Sequence, residues 1–191
     1  DNVETLRQSK LIREQQEDLC SQQQQDAQSL EGNESLTTSN EQTYRVGEYV
    51  YLNSDDKDCN STIICIDKLW TNDEGQQMCY GVIYLYPSET YHVPTRKFLE
   101  KEVFKSDTYA TVPLTNIRSR CSVLNIRDYL KYKPEGYNDE DIYVCEFRYV
   151  TRQRTFKKLK GCIADAELTL IQRETPLEPK RVVSVFRERV E

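Results

Sequence analysis

The sequence predicts a mainly β fold in which an antiparallel sheet curls into a partly closed barrel, with short helices and long loops. Short runs rich in β-branched and aromatic residues alternate with turn-forming residues from Tyr44 onward. Helical patterning is confined to two short stretches, and strands do not alternate with helices. We therefore expect hairpins to be the main connections in this fold.

The aromatic residues indicate where the folded core begins. Tyr44 is the first of thirteen tyrosines, and no aromatic ring precedes it, so residues 1–43 can bury little apolar surface. The same segment holds nine of the thirteen glutamines. We predict a disordered or weakly helical glutamine-rich linker at 1–43, a folded domain at 44–172 and an extended C-terminal arm at 173–191.

The net charge of −6 comes from the predicted linker. Residues 1–43 carry nine acidic and three basic side chains, whereas residues 44–191 carry 23 of each. A neutral domain does not bind polyanions through its net charge, so contact with nucleic acid requires a local basic patch. No segment approaches the roughly 20 apolar residues of a membrane span, so a membrane partner is not expected.

Five runs of the domain are predicted to form strands. Breaks between them carry turn formers, as in "TNDEGQ" at 71–76 and "KPEGYNDED" at 133–141. Helical patterning predicts short helices at 95–104 and 126–132. The strand runs are "YRVGEYVYLN" (44–53), "TIICIDKLW" (62–70), "MCYGVIYLY" (78–86), "CSVLNI" (121–126) and "DIYVCEFRYV" (141–150).

The C-terminal region is predicted to contain one more strand and an apolar arm. Residues 163–171 are apolar enough to add a last strand, and two following prolines favour an extended path. The arm carries a further apolar cluster, which either packs on the domain surface, as we expect, or docks on a neighbouring chain. The cluster consists of Val182, Val183, Val185 and Phe186.

Catalysis, metal binding and cofactor binding have little support in the sequence. His92 is the only histidine, there is no C-x-x-C pair, and neither G-x-x-x-x-G-K-[ST] nor G-x-G-x-x-G occurs. We expect no catalytic residue, no metal and no cofactor. The seven cysteines are interpreted as free thiols of a reducing compartment, because most of them lie within apolar strand patterns, as Cys65, Cys79, Cys121 and Cys145 do.

A basic patch is the candidate functional feature. Residues 148–160 contain no acid, and two aromatic residues, Tyr149 and Phe156, lie among the bases. Such a patch contacts phosphate or an acidic protein surface, although an exposed charged hairpin can also serve solvation alone. The candidate binding residues are Arg148, Arg152, Arg154, Lys157 and Lys158, and Lys160 extends the patch.

Six motifs, taken in order, resemble those of a known family, the bromo-adjacent homology (BAH) domain, over residues 44–160. The first three are a "Y-x-V-G-[DE]-x-V-Y" strand at 44–51, an "I-x-[RK]-[IL]-W" strand at 66–70 and a strand that ends at the corner "YPSET". They are followed by "KEVFKS" at 101–106, "IRSRCSV" at 117–123 and "VCEFRY" at 144–149. The resemblance implies a BAH-type barrel.

The resemblance also implies the role of the corner after Ile83. There the chain leaves the sheet at Pro87, and Thr90 can close the turn with a side-chain hydrogen bond. Some relatives carry an aromatic cage residue where this chain has Ile83, so reading of methylated lysine is not transferred to it. Three tyrosines near the corner are further candidate binding residues, namely Tyr84, Tyr86 and Tyr91.

The function implied by the resemblance is that of a non-catalytic, nuclear module of a chromatin-remodelling complex. Its expected partners are histones, the nucleosome or other chromatin proteins, subunits of the complex and, weakly, DNA phosphates. The alternative is an internal assembly part that binds other subunits without touching the nucleosome.

Overall fold

The structure is a computed structural model that describes residues 32–55, 60–160 and 168–183. Within these residues it contains fourteen strands and one α-helix. The elements are β1 (Ser35–Thr37), β2 (Thr43–Arg45), β3 (Tyr49–Leu52), β4 (Ile63–Thr71), β5 (Gln77–Leu85), β6 (Lys97–Leu99), β7 (Phe104–Pro113), β8 (Ile117–Leu124), α1 (Ile126–Lys131), β9 (Tyr132–Pro134), β10 (Ile142–Val144), β11 (Phe147–Val150), β12 (Thr155–Lys158), β13 (Leu170–Gln172) and β14 (Arg181–Val183).

Eight strands form the central sheet, in the order β10-β8-β3-β4-β5-β7-β11-β12. The described edge strands β10 and β12 do not pair with each other, so the sheet curls without closing. The predicted fold class is confirmed, although two neighbouring pairs, β8 with β10 and β7 with β11, run parallel. These two parallel pairs arise because the chain returns to each edge through connections that are not hairpins.

The central sheet is buried on both faces. Along β3, Tyr49 and Tyr51 point into one apolar cluster, and Val50 and Leu52 point into the other, as the two-residue period of a strand requires. Burial of side chains of this size contributes about 1.5–3 kcal/mol each. The all-buried run of β3 therefore anchors the centre of the fold.

Part of the predicted linker is structured. Strand β1 pairs with β2, and Asn33 forms a bridge with Leu69 of β4. The linker prediction is therefore wrong for residues 33–43, because backbone pairing there replaces the aromatic packing that the prediction relied on. The remainder of the predicted linker, 1–31, lies outside the described residues.

One of the two predicted helices is present and the other is wrong. Helix α1 begins after Asn125, whose side chain accepts a hydrogen bond from the backbone N–H of Asp128 at 2.9 Å. Residues 95–104 instead form β6, a turn and the start of β7. Apolar residues recur there at helical spacing, but β6 is held by pairing with β14, about 80 residues later in the chain.

The corner after β5 has the geometry expected from its sequence. The chain forms a 3₁₀ turn at Pro87–Glu89, and the Thr90 hydroxyl donates to the Pro87 carbonyl at 2.8 Å. The Glu89 carboxylate accepts from the backbone N–H of Tyr86 at 2.9 Å. The proline therefore ends the strand, and two side chains fix the direction in which the chain leaves it.

The C-terminal segment packs back onto the domain. Strand β13 pairs with β9 and β14 pairs with β6, which agrees with the expected packing of the arm. The predicted strand at 163–171 is described only at its end, and Val185 and Phe186 lie outside the described residues. No helix in the described parts of the chain is long and apolar enough to cross a membrane.

Candidate functional site

The basic patch forms a hairpin of β11 and β12, which we call the basic hairpin (residues 147–160). Its strands pair with Tyr149 opposite Phe156 and Arg148 opposite Lys157. In the turn, the backbone N–H of Arg154 donates to the Thr151 carbonyl at 3.3 Å, and the Thr151 hydroxyl donates to the Asp107 carboxylate at 2.9 Å. The second contact ties the tip of the hairpin to β7.

One face of the basic hairpin rests on an aromatic cluster. The ring of Phe156 lies 4.8 Å from that of Phe104 and 5.1 Å from that of Tyr149, measured between centroids. Tyr149 is buried and Phe156 is half-buried. These two rings were predicted to interleave with the bases at a contact surface, but they anchor the hairpin instead, because the strand period turns them inward.

The basic side chains are exposed and lack acidic partners within the fold. None of them forms an ion pair with another described residue. Six bases in this state raise the local positive potential, which attracts a negatively charged partner and weakens with added salt. The set comprises Arg148, Arg152, Arg154, Lys157, Lys158 and Lys160.

A row of three bases crosses neighbouring strands. Arg148 on β11 lies opposite Lys157 on β12 and opposite Lys105 on β7. Side chains at directly opposite positions share a face, with Cβ atoms about 5 Å apart, and like charges there are destabilising. The sequence analysis missed Lys105 because its place in this row depends on strand register.

Tyr91 joins the surface of the basic hairpin. Its side chain is 65% exposed, and the Arg154 guanidinium carbon lies 4.1 Å from the ring centroid. The backbone N–H of Tyr91 also donates to the hydroxyl of Tyr149 at 3.0 Å. The loop after the corner is therefore fixed against the hairpin, and two predicted site residues, Tyr91 and Arg154, lie together.

The other two candidate tyrosines do not reach this surface. Tyr84 is 2% exposed, and its ring packs edge-on against Tyr49 at 5.2 Å, so the expectation that its phenol group lies at the surface is wrong. It faces the core because it occupies an inward position of β5. Tyr86 is half-buried, and its hydroxyl donates to the Ser61 carbonyl at 2.8 Å. Ile83, at the position of the aromatic cage residue, packs against a core cluster.

The thiols and the histidine have structural surroundings. Burial raises the pKa of the Cys79 thiol to about 12 and raises the pKa of Cys121 as well, so neither is a thiolate near neutral pH. His92 Nδ1 lies 3.0 Å from the Thr90 hydroxyl, and its ring packs on Phe98. In the described part of the chain, no cluster of three or more His, Cys, Asp or Glu side chains could hold a metal ion.

Comparison with known proteins places these features in a family. The sequence model of the BAH domain matches residues 42–160. In solved structures, the fold is similar to that in the crystal structure of the yeast Rsc2 BAH domain, with a TM-score of 0.61 and 25% identity. This similarity covers 68% of this chain and 55% of that chain.

Curated proteins with similar sequences include chromatin proteins. The chain is 28% identical over 146 residues to the chromatin structure-remodeling complex subunit rsc1 of Schizosaccharomyces pombe, covering 73% of this chain and 18% of that protein. It is 37% identical over 100 residues to the histone-lysine N-methyltransferase ash1 of Drosophila melanogaster, covering 52% of this chain and 4% of that protein. The chain thus spans less than a fifth of either relative. Because the family model matches more than half of it, the chain belongs to the BAH domain family.

Proposed function

We propose that the chain is a non-catalytic, nuclear interaction module of an ATP-dependent chromatin-remodelling complex and that the basic hairpin is its contact surface. The relatives named as chromatin structure-remodeling subunits support the setting. The observation that carries the contact surface is the set of six exposed bases without an acidic partner in the described fold. Such charges remain available to an outside partner.

The finer proposal concerns the kind of complex. The segments "TRKFLEKEVFKSD" (95–107) and "RVVSVF" (181–186) resemble the first BAH domain of polybromo, a subunit of SWI/SNF-class remodelling complexes. The matches to the yeast remodelling subunits support a complex of this class. On this proposal, the module helps to place the complex on chromatin.

The expected partner of the basic hairpin is the nucleosome, through DNA phosphates or an acidic histone surface. The row formed by Lys105, Arg148 and Lys157 concentrates charge on three neighbouring strands. An opposing acidic surface would relieve their mutual repulsion and so gain affinity from charges that cost stability in the free protein.

A second candidate function is assembly of the complex through the C-terminal arm. Val182 and Val183 on β14 are 48% and 42% exposed, which leaves apolar surface for another subunit. This function predicts that reversing the basic charges leaves activity intact. It also predicts that polar substitutions at Val183 and Phe186 disrupt association with other subunits.

The test is binding of the full chain to intact nucleosomes and to naked DNA over a salt series. In one variant, four hairpin bases are changed to glutamate, and a matched control makes the same charge change on exposed bases elsewhere. The hairpin variant reverses Arg152, Arg154, Lys157 and Lys158, and the control reverses Arg45, Arg127, Lys131 and Lys180.

We expect wild-type binding to fall with salt, with the logarithmic slope reduced by roughly one unit for each phosphate contact that the hairpin variant loses. Tighter binding to nucleosomes than to DNA indicates a histone surface. Equal binding by the wild type and by both folded variants would contradict the proposal and favour assembly through the arm.

A further inference from the structure

The outer strand of the basic hairpin, β12, is an edge of the central sheet. Among the described residues it pairs with β11 alone. The backbone N–H of Leu159 donates to the carbonyl of Glu146, directly opposite it in the same register. Because hydrogen-bonded and non-bonded pairs alternate in an antiparallel ladder, Arg148–Lys157 is a bonded pair. The N–H and C=O groups of Phe156 and Lys158 therefore point outward from the sheet.

Basic side chains flank this open edge on both faces. Lys158 lies on the face of the aromatic cluster, because it is two residues from Phe156, and Lys157 lies on the opposite face. A strand added to the edge also alternates its side chains between the two faces. Acidic residues on either face of such a strand would meet a base.

A further cation without an anion lies beside the edge. The Arg96 guanidinium carbon lies 3.9 Å from the centroid of the Phe156 ring and within 6 Å of two other phenylalanine rings. Its Nε is buried and has no hydrogen-bond partner among the described residues. A carboxylate that arrives next to Phe156 would give Arg96 the charged partner that the fold does not supply.

Lysines on an edge strand also prevent unwanted pairing between sheets. They do so by repelling neutral or basic strands, which must bury the lysine charge without compensation. The same charges attract an acidic strand, so the edge discriminates between partners instead of being closed to all of them.

We propose that β12 accepts an extended acidic segment of a partner protein as an additional strand of the central sheet. The inference rests on the proposed function, because it takes the basic hairpin as the contact surface, and it specifies a peptide as the partner. Main-chain hydrogen bonds from Phe156 and Lys158 give affinity, and the bases on both faces select for acidic sequence. DNA has no peptide backbone, so it cannot occupy the edge in this way.

The test uses three peptides with the full chain. The probe is (Glu-Thr-Thr)₄, whose glutamates alternate between faces when the peptide is extended. The peptide (Glu-Pro-Pro)₄ carries the same side-chain charge but lacks two of every three backbone N–H donors, and (Gln-Thr-Thr)₄ lacks the side-chain charge. Binding is measured by fluorescence anisotropy and amide exchange by NMR.

We expect the first peptide to bind at least about ten-fold more tightly than either control, the size of a loss of about 1.4 kcal/mol. It should also slow exchange at the amides of Phe156 and Lys158. Equal binding of the two glutamate peptides without such protection would overturn strand addition and leave the proposed function standing. Failure of all three peptides to bind would also overturn it, and the nucleosome series then decides the proposed function separately.

Two substitutions at one position isolate the backbone group. Lys158→Ala removes the charge and keeps the outward N–H, whereas Lys158→Pro removes both. Proline is tolerated on an edge strand where its nitrogen faces outward, so the hairpin should remain folded. We expect the proline variant to bind the (Glu-Thr-Thr)₄ probe several-fold more weakly than the alanine variant. Equal affinities of the two folded variants would contradict the inference.

Discussion

Arg181 Nη1 lies 3.3 Å from Oε1 of Glu102, whose side chain is 1% exposed. The other guanidinium nitrogen, Nη2, lies 2.7 Å from Oε2 of Glu146. One arginine of β14 therefore neutralises two carboxylates of the domain. This contact explains why a strand near the end of the chain remains attached to β6 although its two valines are exposed.

Loss of this arginine should destabilise the fold. Arg181→Ala leaves the buried Glu102 carboxylate without its cation, and removing one partner of a fully buried pair costs roughly 3–5 kcal/mol. Because Arg181 is partly exposed, we expect about 1–3 kcal/mol from urea unfolding. The double variant Arg181→Ala, Glu102→Gln should recover part of the loss. An Arg181→Ala variant as stable as the wild type would show that the ion pair does not stabilise the fold.

Stability should depend on pH through Glu102. Burial raises the pKa of this carboxyl above its usual value of 4.5, and Arg181 offsets the shift only in part. A raised pKa in the folded state contributes stability at acid pH that is lost as pH rises through the folded pKa. We therefore expect the stability advantage of the wild type over Glu102→Gln to shrink as pH rises above about 4.5. Urea unfolding of both proteins from pH 4 to 7 checks this.

The matched control for the pH series is an exposed carboxyl with the opposite shift. Lys133 lowers the pKa of Asp139 through a hydrogen bond. Its contribution is present at neutral pH and is lost as pH falls, so Asp139→Asn should converge with the wild type only in acid. A Glu102→Gln difference that grows with rising pH would contradict the assignment to Glu102.

A side chain at Gly81 should disrupt the sheet. A Cβ atom there would overlap the carbonyl oxygen of Cys65 on β4, next to the register shift of that strand pair. We expect Gly81→Ala to cost about 2 kcal/mol or more, because backbone must move to make room. In Gly32→Ala the new Cβ would lie 3.7 Å from the Leu69 carbonyl, so we expect a change below about 0.5 kcal/mol. Similar melting temperatures for the two variants would contradict the steric explanation.

The ring of Tyr91 should support binding by holding Arg154. An exposed cation–π contact contributes about 0.5–1 kcal/mol, so Tyr91→Leu should weaken nucleosome binding roughly two- to five-fold. Tyr91→Phe keeps the ring and should bind like the wild type. If the leucine and phenylalanine variants bind equally well, the contact between Tyr91 and Arg154 has no part in recognition.

Most strands could be predicted from sequence because their pattern is local. The run at 49–52 is apolar on both faces of the sheet, and Pro87 marks the end of β5. By contrast, β7 was missed because several of its positions are polar and exposed. The apolar residues at 95–104 were assigned to a helix, because their pairing with β14 depends on residues far away in the chain.

The candidate site could be predicted in composition but not in arrangement. The acid-free run at 148–160 identified the hairpin bases directly. The inward position of Tyr84, the place of Lys105 beside Arg148 and the contact of Tyr91 with Arg154 all depend on register and loop path. A linear sequence does not specify these relations, because each is set by packing between separate strands.

The most direct test of the central claim measures stability and nucleosome affinity in the same variant, Arg148→Gln. Arg148 lies between Lys105 and Lys157, so neutralising it should leave the melting temperature unchanged or raise it, because repulsion between opposite bases is relieved. Nucleosome binding at about 0.1 M salt should weaken several-fold, because the centre of the contact surface is lost. A variant that is equally stable and binds nucleosomes as tightly as the wild type would contradict the claim that the basic hairpin is the contact surface.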